Sequence, residues 1–295
     1  MDNVNAVLFM GNGVMQTFKM DSWKGMIEKV AHKYHLGTAE IKAIEKLPAN
    51  MQIIAATKDH VDDAMKEFAD DLRKLEYSTE MQKFICNQVL TLPVSDIITT
   101  NYTYEIEKSI SPQYSTTPGN RARKTIMRGN RRENQFMVYR YNQIDEKRIW
   151  HIHGEACTVS GIVMGNYYYG KLLHTIQEYI AKRMGYLHIC QKESKEIKEA
   201  NWIDLFLTKD VYVMGFGMDL SEIDFWWLAC CKRRNFPETN IYVYEPNLAK
   251  DNVKRIMAET YGIKLMCPDE RVGNGEFLKF YEDVLARIRK IEGTK

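Results

Sequence analysis

The sequence lacks several features that would assign it to a well-defined class of protein. Its six cysteines form no CxxC pair and stand in no zinc-ligand pattern with histidine, which argues against a structural zinc module. The net charge is only +2, from 41 basic and 39 acidic residues, and does not suggest general nucleic-acid binding. The longest N-terminal apolar run, Ala6 to Met10, is too short for a signal peptide or a membrane span. We therefore expect a cytoplasmic protein with free thiols and no membrane association.

The chain is rich in apolar residues, and their pattern predicts alternating strands and helices. Its 295 residues are 45% apolar, enough to bury one sizeable core. Short apolar runs alternate with segments of helical periodicity, which is typical of a parallel sheet covered on both faces. The predicted fold is α/β, with a Rossmann-like parallel sheet and helices on both faces. The predicted strands are 5–10, 94–100, 210–214, 240–244 and 263–266.

Two insertions interrupt the predicted single domain over residues 1–295. Residues 38–90 read as a helical insertion with a break near Pro48, and residues 111–148 as a basic loop and hairpin. In the hairpin, strands over 136–141 and 148–152 flank a polar turn at 142–147.

Polar residues and glycines follow the predicted strands directly. Ligands of parallel α/β sheets bind beyond the carboxyl ends of the strands. This shared placement predicts one binding site, and it counts for more than any single motif. The residues concerned are Gly11–Gly13, Asn101, His153, Gly215–Gly217 and Glu245.

The first three motifs each allow more than one interpretation. Gly11 to Gly13 could let backbone amides approach a pyrophosphate, or could form an ordinary turn. Asn101 could bind a ribose hydroxyl or a water, or could cap the next helix. His153 could move a proton near neutral pH, or could be a buried core residue. Strand alternation puts His151 on the same face as His153, where we interpret it as structural; a metal pair would lack a third ligand.

The remaining features are also ambiguous. Glu245 could bind the hydroxyls of an adenine ribose or could be a solvated turn residue. The basic run 119–132 carries six cations and no acid. Such a run is usually a solvated loop, but it could also bind phosphates, nucleic acid or an acidic partner.

Taken together, four motifs in order carry a family resemblance. They are GNGV, TTNY, IHGE and VYVMGFGMDLSEID. In this order the chain resembles, over about residues 5–250, the sirtuin-like, NAD-consuming domains of bacterial antiphage defence proteins. The strings TNYT and HIHG are also similar to those of abortive-infection proteins with a GNG loop.

This resemblance implies a Rossmann-type NAD site with two catalytic residues. Asn101 matches the family's essential asparagine and His153 its catalytic histidine. The chain has no four-cysteine zinc module, which favours NAD hydrolysis over removal of acyl groups from lysine, with no metal. Thr103 stands where the family has an aspartate. The residues assigned to NAD binding are Gly11, Asn12, Gly13, Thr100, Tyr102, Gly215, Gly217, Asp219 and Glu245.

The function expected from the resemblance is NAD hydrolysis to nicotinamide and ADP-ribose by an effector of abortive infection. The alternative is a non-catalytic module that binds NAD or ADP-ribose and scaffolds a defence partner. An enzyme that destroys NAD must be held inactive in a growing cell. We therefore expect control through a homo-oligomer or through a separate ATPase or sensor protein.

Overall fold

The computed structural model describes residues 5–110, 138, 140–157, 159–247, 252–273 and 275–293. The basic run 119–132 lies outside the described residues. The strands are β1 (Ala6–Met10), β2 (Asp96–Thr99), β3 (Asn142–Ile144), β4 (Lys147–His151), β5 (Asp210–Met214), β6 (Ile241–Tyr244) and β7 (Lys264–Met266). They form one seven-stranded sheet in the order β3-β4-β2-β1-β5-β6-β7.

The central strand, β1, is completely buried, as its unbroken apolar sequence AVLFM predicts for a parallel strand covered on both faces. Val7 and Phe9 pack into the core on one face of the sheet. Leu8 and Met10 pack into the core on the other face. The strand therefore separates two hydrophobic cores.

All strand pairs are parallel except the edge pair β3 and β4. Numbered along the chain, the six parallel strands have the order 3-2-1-4-5-6 of the Rossmann fold. The chain adds β2 and β4 on one side of β1 and then crosses to β5 on the other side. This reversal creates the crevice at which such sheets bind ligands. The predicted Rossmann-like α/β fold is confirmed.

Helices cover both faces of the sheet in the described residues. They are α1 (Gly13–Gln16), α2 (Trp23–Lys33), α3 (Thr38–Ile44), α4 (Ala49–Ala56), α5 (Val61–Lys74), α6 (Thr79–Phe84), α7 (Glu105–Ile110), α8 (Asn166–Lys192), α9 (Trp202–Thr208), α10 (Ile223–Asn235), α11 (Val253–Thr260) and α12 (Phe277–Glu292). Helices α8, α9 and α10 contribute to the core beside Phe9. Helices α6, α7 and α12 contribute to the core beside Leu8.

Local signals account for several helix ends. The Ser22 hydroxyl caps α2 by accepting a hydrogen bond from the Gly25 N–H at 3.1 Å. Pro48 immediately precedes α4, in agreement with the predicted break. The segment 38–90 contains helices α3 to α6 and a π-helical turn at Ile85–Val89, with further non-helical connections at 57–60 and 75–78. Helices α2 to α5 share a third hydrophobic core, which stands beside the ligand crevice.

The hairpin differs from its prediction. Strand β3 lies in the stretch predicted to be the turn, while β4 corresponds to the predicted strand 148–152. Ile144 pairs with Lys147, so the turn contains only two residues. Asp145 has a φ of +48°, a conformation that short hairpin turns require and that aspartate tolerates better than most residues. Of the predicted strand 136–141, residues 136, 137 and 139 lie outside the described residues, and Val138, Arg140 and Tyr141 do not belong to a strand.

No helix in the described part of the chain combines the length and apolar character needed to cross a membrane.

Candidate functional site

A cleft of about 990 Å³ opens at the carboxyl ends of β1, β2, β5 and β6. Small-molecule sites typically enclose roughly 300–1,000 Å³, so the cleft could hold a dinucleotide. The predicted site residues that line it are Asn12, Gly13, Thr100, Asn101, Tyr102, His153, Gly215, Gly217, Asp219 and Glu245. Segments far apart in the sequence therefore meet around one cavity.

The two glycine turns pack directly on each other. The Gly11 N–H donates to the Met214 carbonyl at 3.0 Å, and the Gly13 N–H donates to the Gly215 carbonyl at 2.7 Å. A Cβ on Gly11 would lie 2.5 Å from the Gly215 oxygen, and Gly215 itself has a φ of +64°. Close packing of the turns thus requires these glycines.

This packing changes the interpretation of the first glycine turn. Gly11 does not line the cleft, and the N–H groups of Gly11 and Gly13 already donate to backbone carbonyls of the second glycine turn. The helix that follows, α1, has only four residues. Any phosphate at this turn would have to be held by other amides.

Asn101 lies just beyond β2, and hydrogen bonds hold both its main chain and its side chain. Its carboxamide nitrogen donates to Glu105 Oε1 at 2.6 Å, and its own N–H donates to Thr99 Oγ1 at 3.1 Å. Its carboxamide oxygen is buried and has no hydrogen-bond partner among the described residues. An unpaired buried acceptor is costly, by about 1–3 kcal/mol, which makes this oxygen a candidate for contact with a ligand.

His151 and His153 do not share a face, which corrects the sequence expectation. His151 contacts Glu107 of α7, on the face of Leu8, whereas His153 contacts Asp224 of α10, on the face of Phe9. Strict alternation fails because β4 ends at His151 and the chain turns there. A metal pair formed by the two histidines is thereby excluded.

The turn that carries His153 requires a glycine after it. Gly154 has a φ of +93°, and a Cβ there would lie 2.2 Å from the Gly161 oxygen. The His153 carbonyl accepts a hydrogen bond from the Val163 N–H at 2.8 Å. The backbone is therefore held firmly where the imidazole enters the cleft.

Both ring nitrogens of His151 face acceptors. Nδ1 lies 2.7 Å from the Asn101 carbonyl oxygen, and Nε2 lies 2.9 Å from Glu107 Oε1. Burial disfavours the charged ring and is the largest single effect, but Glu107, Glu155 and the Asn101 carbonyl together outweigh it and raise the pKa of His151 to about 9. His151 is thus a buried imidazolium that fixes the backbone of Asn101.

His153 has a different set of contacts. Its Nε2 lies 2.9 Å from Asp224 Oδ2, and its ring packs edge-on against Tyr169. In the described part of the chain, no hydrogen bond is made to Nδ1. Burial disfavours the charged ring and is the largest single effect, but Asp224 and Glu222 together outweigh it and raise the pKa of His153. This is a histidine oriented by a carboxylate, with one nitrogen left for proton transfer.

Glu222 stands beside this pair on the wall of the cleft. It accepts a hydrogen bond from the Tyr169 hydroxyl at 2.8 Å and lies 3.9 Å from His153 Nε2. Burial raises the pKa of Glu222 to about 7. His153, Glu222 and Asp224 have ligand atoms within 4.8 Å of one another, so they could also hold a divalent cation.

The other predicted binding residues contribute differently. Asp219 accepts from the Ser221 N–H at 2.9 Å, and the Tyr102 hydroxyl donates to the Val163 carbonyl at 2.8 Å. These bonds give both residues a structural role. Glu245 lies at the end of β6, where burial raises the pKa of its carboxyl group. Lys254 of α11 also lines the cleft and donates to the Gly217 carbonyl at 2.6 Å.

Comparison with known families identifies the chain at the level of family. The family model AbiH, described as bacteriophage abortive infection AbiH, matches residues 19–245, which is more than half of the chain. The chain belongs to the AbiH family. No curated protein matches it. Its family indicates a role in abortive infection, and the matched region includes all the predicted site residues except the first glycine turn.

In this AbiH chain, sequence reasoning missed the carboxylates that hold the two predicted catalytic residues. Asp224 orients His153, Glu105 holds the Asn101 side chain, and Glu107 holds His151. Asp224 and Glu105 stand in the first turn of a helix, where acids are common because of the helix dipole. The one sequence signal for their burial was their position directly after a cleft motif.

Proposed function

We propose that this AbiH protein is an NAD glycohydrolase that cleaves the nicotinamide–ribose bond to give nicotinamide and ADP-ribose. The observation that supports this most is the meeting of Asn101 and His153 on the wall of one cleft at the switch point of a Rossmann sheet. The motif resemblance to sirtuin-like NAD-consuming domains supplies the substrate.

In this proposal NAD lies across the carboxyl ends of the strands, with its nicotinamide ribose between Asn101 and His153. The Asn101 carboxamide oxygen accepts a hydrogen bond from a ribose hydroxyl or from the attacking water. His153 Nδ1 accepts the proton, since Nε2 is occupied by Asp224.

The reaction balances with one water. The bond between ribose C1′ and the pyridinium nitrogen breaks, and its electron pair leaves with neutral nicotinamide. Water adds its oxygen to C1′ and gives up one proton by way of His153. Near His153, the Asp224 carboxylate, and Glu222 when it is ionised, would favour the positive charge that develops on the ribose.

In the cell, such an enzyme would act as an effector of abortive infection by depleting NAD. We propose that an oligomer or a separate sensor or ATPase keeps it inactive before infection.

The direct test is incubation of the purified protein with NAD, followed by chromatography for nicotinamide and ADP-ribose. Equimolar release of both products is expected from the wild type, and much slower but measurable release from Asn101→Ala. NAD that stays intact with the wild type, with or without extract of infected cells, would reject the proposed activity.

One observation favours the second candidate, a non-catalytic module for NAD or ADP-ribose. Thr103 stands where the sirtuin-like domains have an aspartate, and its hydroxyl donates to Glu105 Oε2 at 2.5 Å. It is therefore occupied and not free to bind the ribose. Tight NAD binding without nicotinamide release would support this candidate.

A further inference from the structure

The carboxamide of Asn101 can present either its oxygen or its NH₂ group to a ligand, and the two choices suit opposite partners. An oxygen accepts from a hydroxyl or a water, whereas an NH₂ group donates to a carbonyl or a phosphate. What surrounds Asn101 decides which group remains for the ligand.

The carboxyl group of a buried glutamate is hydrogen-bonded to the NH₂ group of the Asn101 carboxamide. Glu105 is 1% exposed, and its Oε1 accepts from the Asn101 carboxamide nitrogen at 2.6 Å. Its other oxygen accepts from the Thr103 hydroxyl at 2.5 Å. Burial raises the pKa of the Glu105 carboxyl group. Whether ionised or protonated on the oxygen that faces Thr103, this group keeps Oε1 as an acceptor. Oε1 therefore selects the NH₂ group of Asn101 and leaves the carboxamide oxygen unpaired among the described residues.

A second buried group holds the main chain of the same residue. His151 is 3% exposed, and its Nδ1 donates to the Asn101 carbonyl oxygen while Nε2 donates to Glu107. Asn142 of β3 also donates to Glu107 Oε1, at 2.8 Å. The backbone of Asn101 is therefore tied to α7 and to the edge hairpin.

We propose that Glu105 and His151 are positioning residues that orient Asn101 so that its carboxamide oxygen accepts a hydrogen bond from a hydroxyl group of the ligand. The inference deepens the proposed function and rests on it for the identity of that ligand, a ribose or the attacking water. Neither residue touches the substrate, and both act through Asn101.

Two variants of Glu105 separate orientation from simple packing. Glu105→Gln keeps an oxygen for the Asn101 NH₂ group and can donate its own amide to the Thr103 hydroxyl, so its kcat should stay within about fivefold of the wild type. Glu105→Leu removes the acceptor, and its kcat should fall about 10²-fold, because a misplaced group costs about that much. KM should change little in either variant.

The deciding measurement is a double-mutant cycle with Asn101→Ala. If Glu105 acts through Asn101, Glu105→Leu adds no further loss when Asn101 is already alanine. The same result is expected for His151→Gln. The proposal would be overturned if the loss of kcat in the double variant equalled, within about twofold, the product of the losses in the two single variants. Such a result would mean that Glu105 and Asn101 act separately.

Binding provides a readout that does not depend on turnover. The cycle is repeated with the affinity for ADP-ribose, measured by calorimetry, because ADP-ribose carries a C1′ hydroxyl that NAD lacks. Asn101→Ala and Glu105→Leu should each weaken this binding, and the double variant should bind no more weakly than Asn101→Ala alone. If the wild type binds ADP-ribose but releases no nicotinamide from NAD, the proposed function fails while this second cycle still decides the inference.

The free protein provides a third readout. With asparagine labelled with nitrogen-15, the side-chain NH₂ signal of Asn101 should show one strongly hydrogen-bonded proton. That signal should persist in Glu105→Gln and disappear in Glu105→Leu. An unchanged signal in Glu105→Leu would overturn the proposal even if no ligand binds.

A matched control removes a different buried glutamate. Glu292 is 4% exposed and accepts from the Tyr212 hydroxyl at 2.6 Å, but it does not line the cleft. Glu292→Leu should lower the melting temperature without changing kcat. Melting curves of all variants identify any that fail to fold.

Discussion

Two histidines separated by one residue differ in how many of their ring nitrogens are already hydrogen-bonded. His151 uses both ring nitrogens in buried hydrogen bonds, to the Asn101 carbonyl and to Glu107. His153 uses one, to Asp224, and lines the cleft. Both pKa values are raised by a neighbouring carboxylate. The difference in capability therefore comes from hydrogen-bond occupancy rather than from charge.

The comparison shows that one strand end carries both a histidine with no nitrogen available to a ligand and a histidine with one nitrogen available. A fully occupied imidazolium cannot exchange protons with a ligand, but it can fix the backbone of its neighbour. A half-occupied imidazole is oriented and still has a nitrogen available. Four experiments test this contrast, starting with the one of largest expected effect.

Replacing the half-occupied histidine should have the largest effect. His153→Ala is expected to lower kcat for NAD cleavage by about 10²–10⁴-fold, because general base assistance is lost. The affinity for ADP-ribose should change little. The control is His188→Ala, which replaces a histidine of α8 that packs against Phe236. Full turnover by His153→Ala would show that His153 is not the base.

Removing the carboxylate that orients His153 should have the next largest effect. Asp224→Asn is expected to lower kcat by about 10–100-fold, since the ring exchanges a negatively charged partner for a neutral one. The carboxylate raises the pKa of His153, and only the neutral ring accepts a proton. The acid limb of the pH–rate profile should therefore move to lower pH in the variant. If the acid limb of the profile does not move, it reports the ionisation of a group other than His153.

The fully occupied histidine should affect stability in a pH-dependent way. The folded-state pKa of His151 is raised from 6.5 to about 9, so its stabilisation is complete below pH 6.5 and is lost as the pH rises through about 9. His151→Gln should lower the free energy of unfolding at pH 6 by up to about 3 kcal/mol, and by much less at pH 9.5. Urea unfolding at both pH values measures this. An equal loss of unfolding free energy at pH 6 and pH 9.5 would mean that His151 is not a buried imidazolium.

Metal removal should have the smallest effect. The hydrogen bond between His153 and Asp224 orients the ring without an ion, so EDTA is expected to leave NAD cleavage unchanged. The clustering of His153, Glu222 and Asp224 makes the test necessary. Activity lost with EDTA and restored by zinc or manganese would mean that His153 serves as a ligand instead of a base.

Much of the fold was predictable because local apolar runs identify buried parallel strands. The strands β1, β5 and β6 lie within about one residue of their predicted limits. Parallel pairing then brings every carboxyl end to the same edge, which is why Asn101, His153 and Gly215 could be assigned to one cleft.

The hairpin and the histidine faces were less predictable. A positive φ at Asp145 shortened the turn, and the end of β4 at His151 broke the alternation. Both depend on a single backbone conformation, to which hydrophobic periodicity is insensitive.

Sequence alone determined the α/β class, the glycine turns and the two polar residues at strand ends, because these follow from short-range patterns of apolar and small residues. Tertiary structure alone decided what each polar residue can do. The partner of His153 is 71 positions away along the chain, and only folding brings Asp224 to one of its nitrogens. Proton transfer depends on which atoms are already hydrogen-bonded, and that occupancy arises from contacts between distant segments rather than from any local motif.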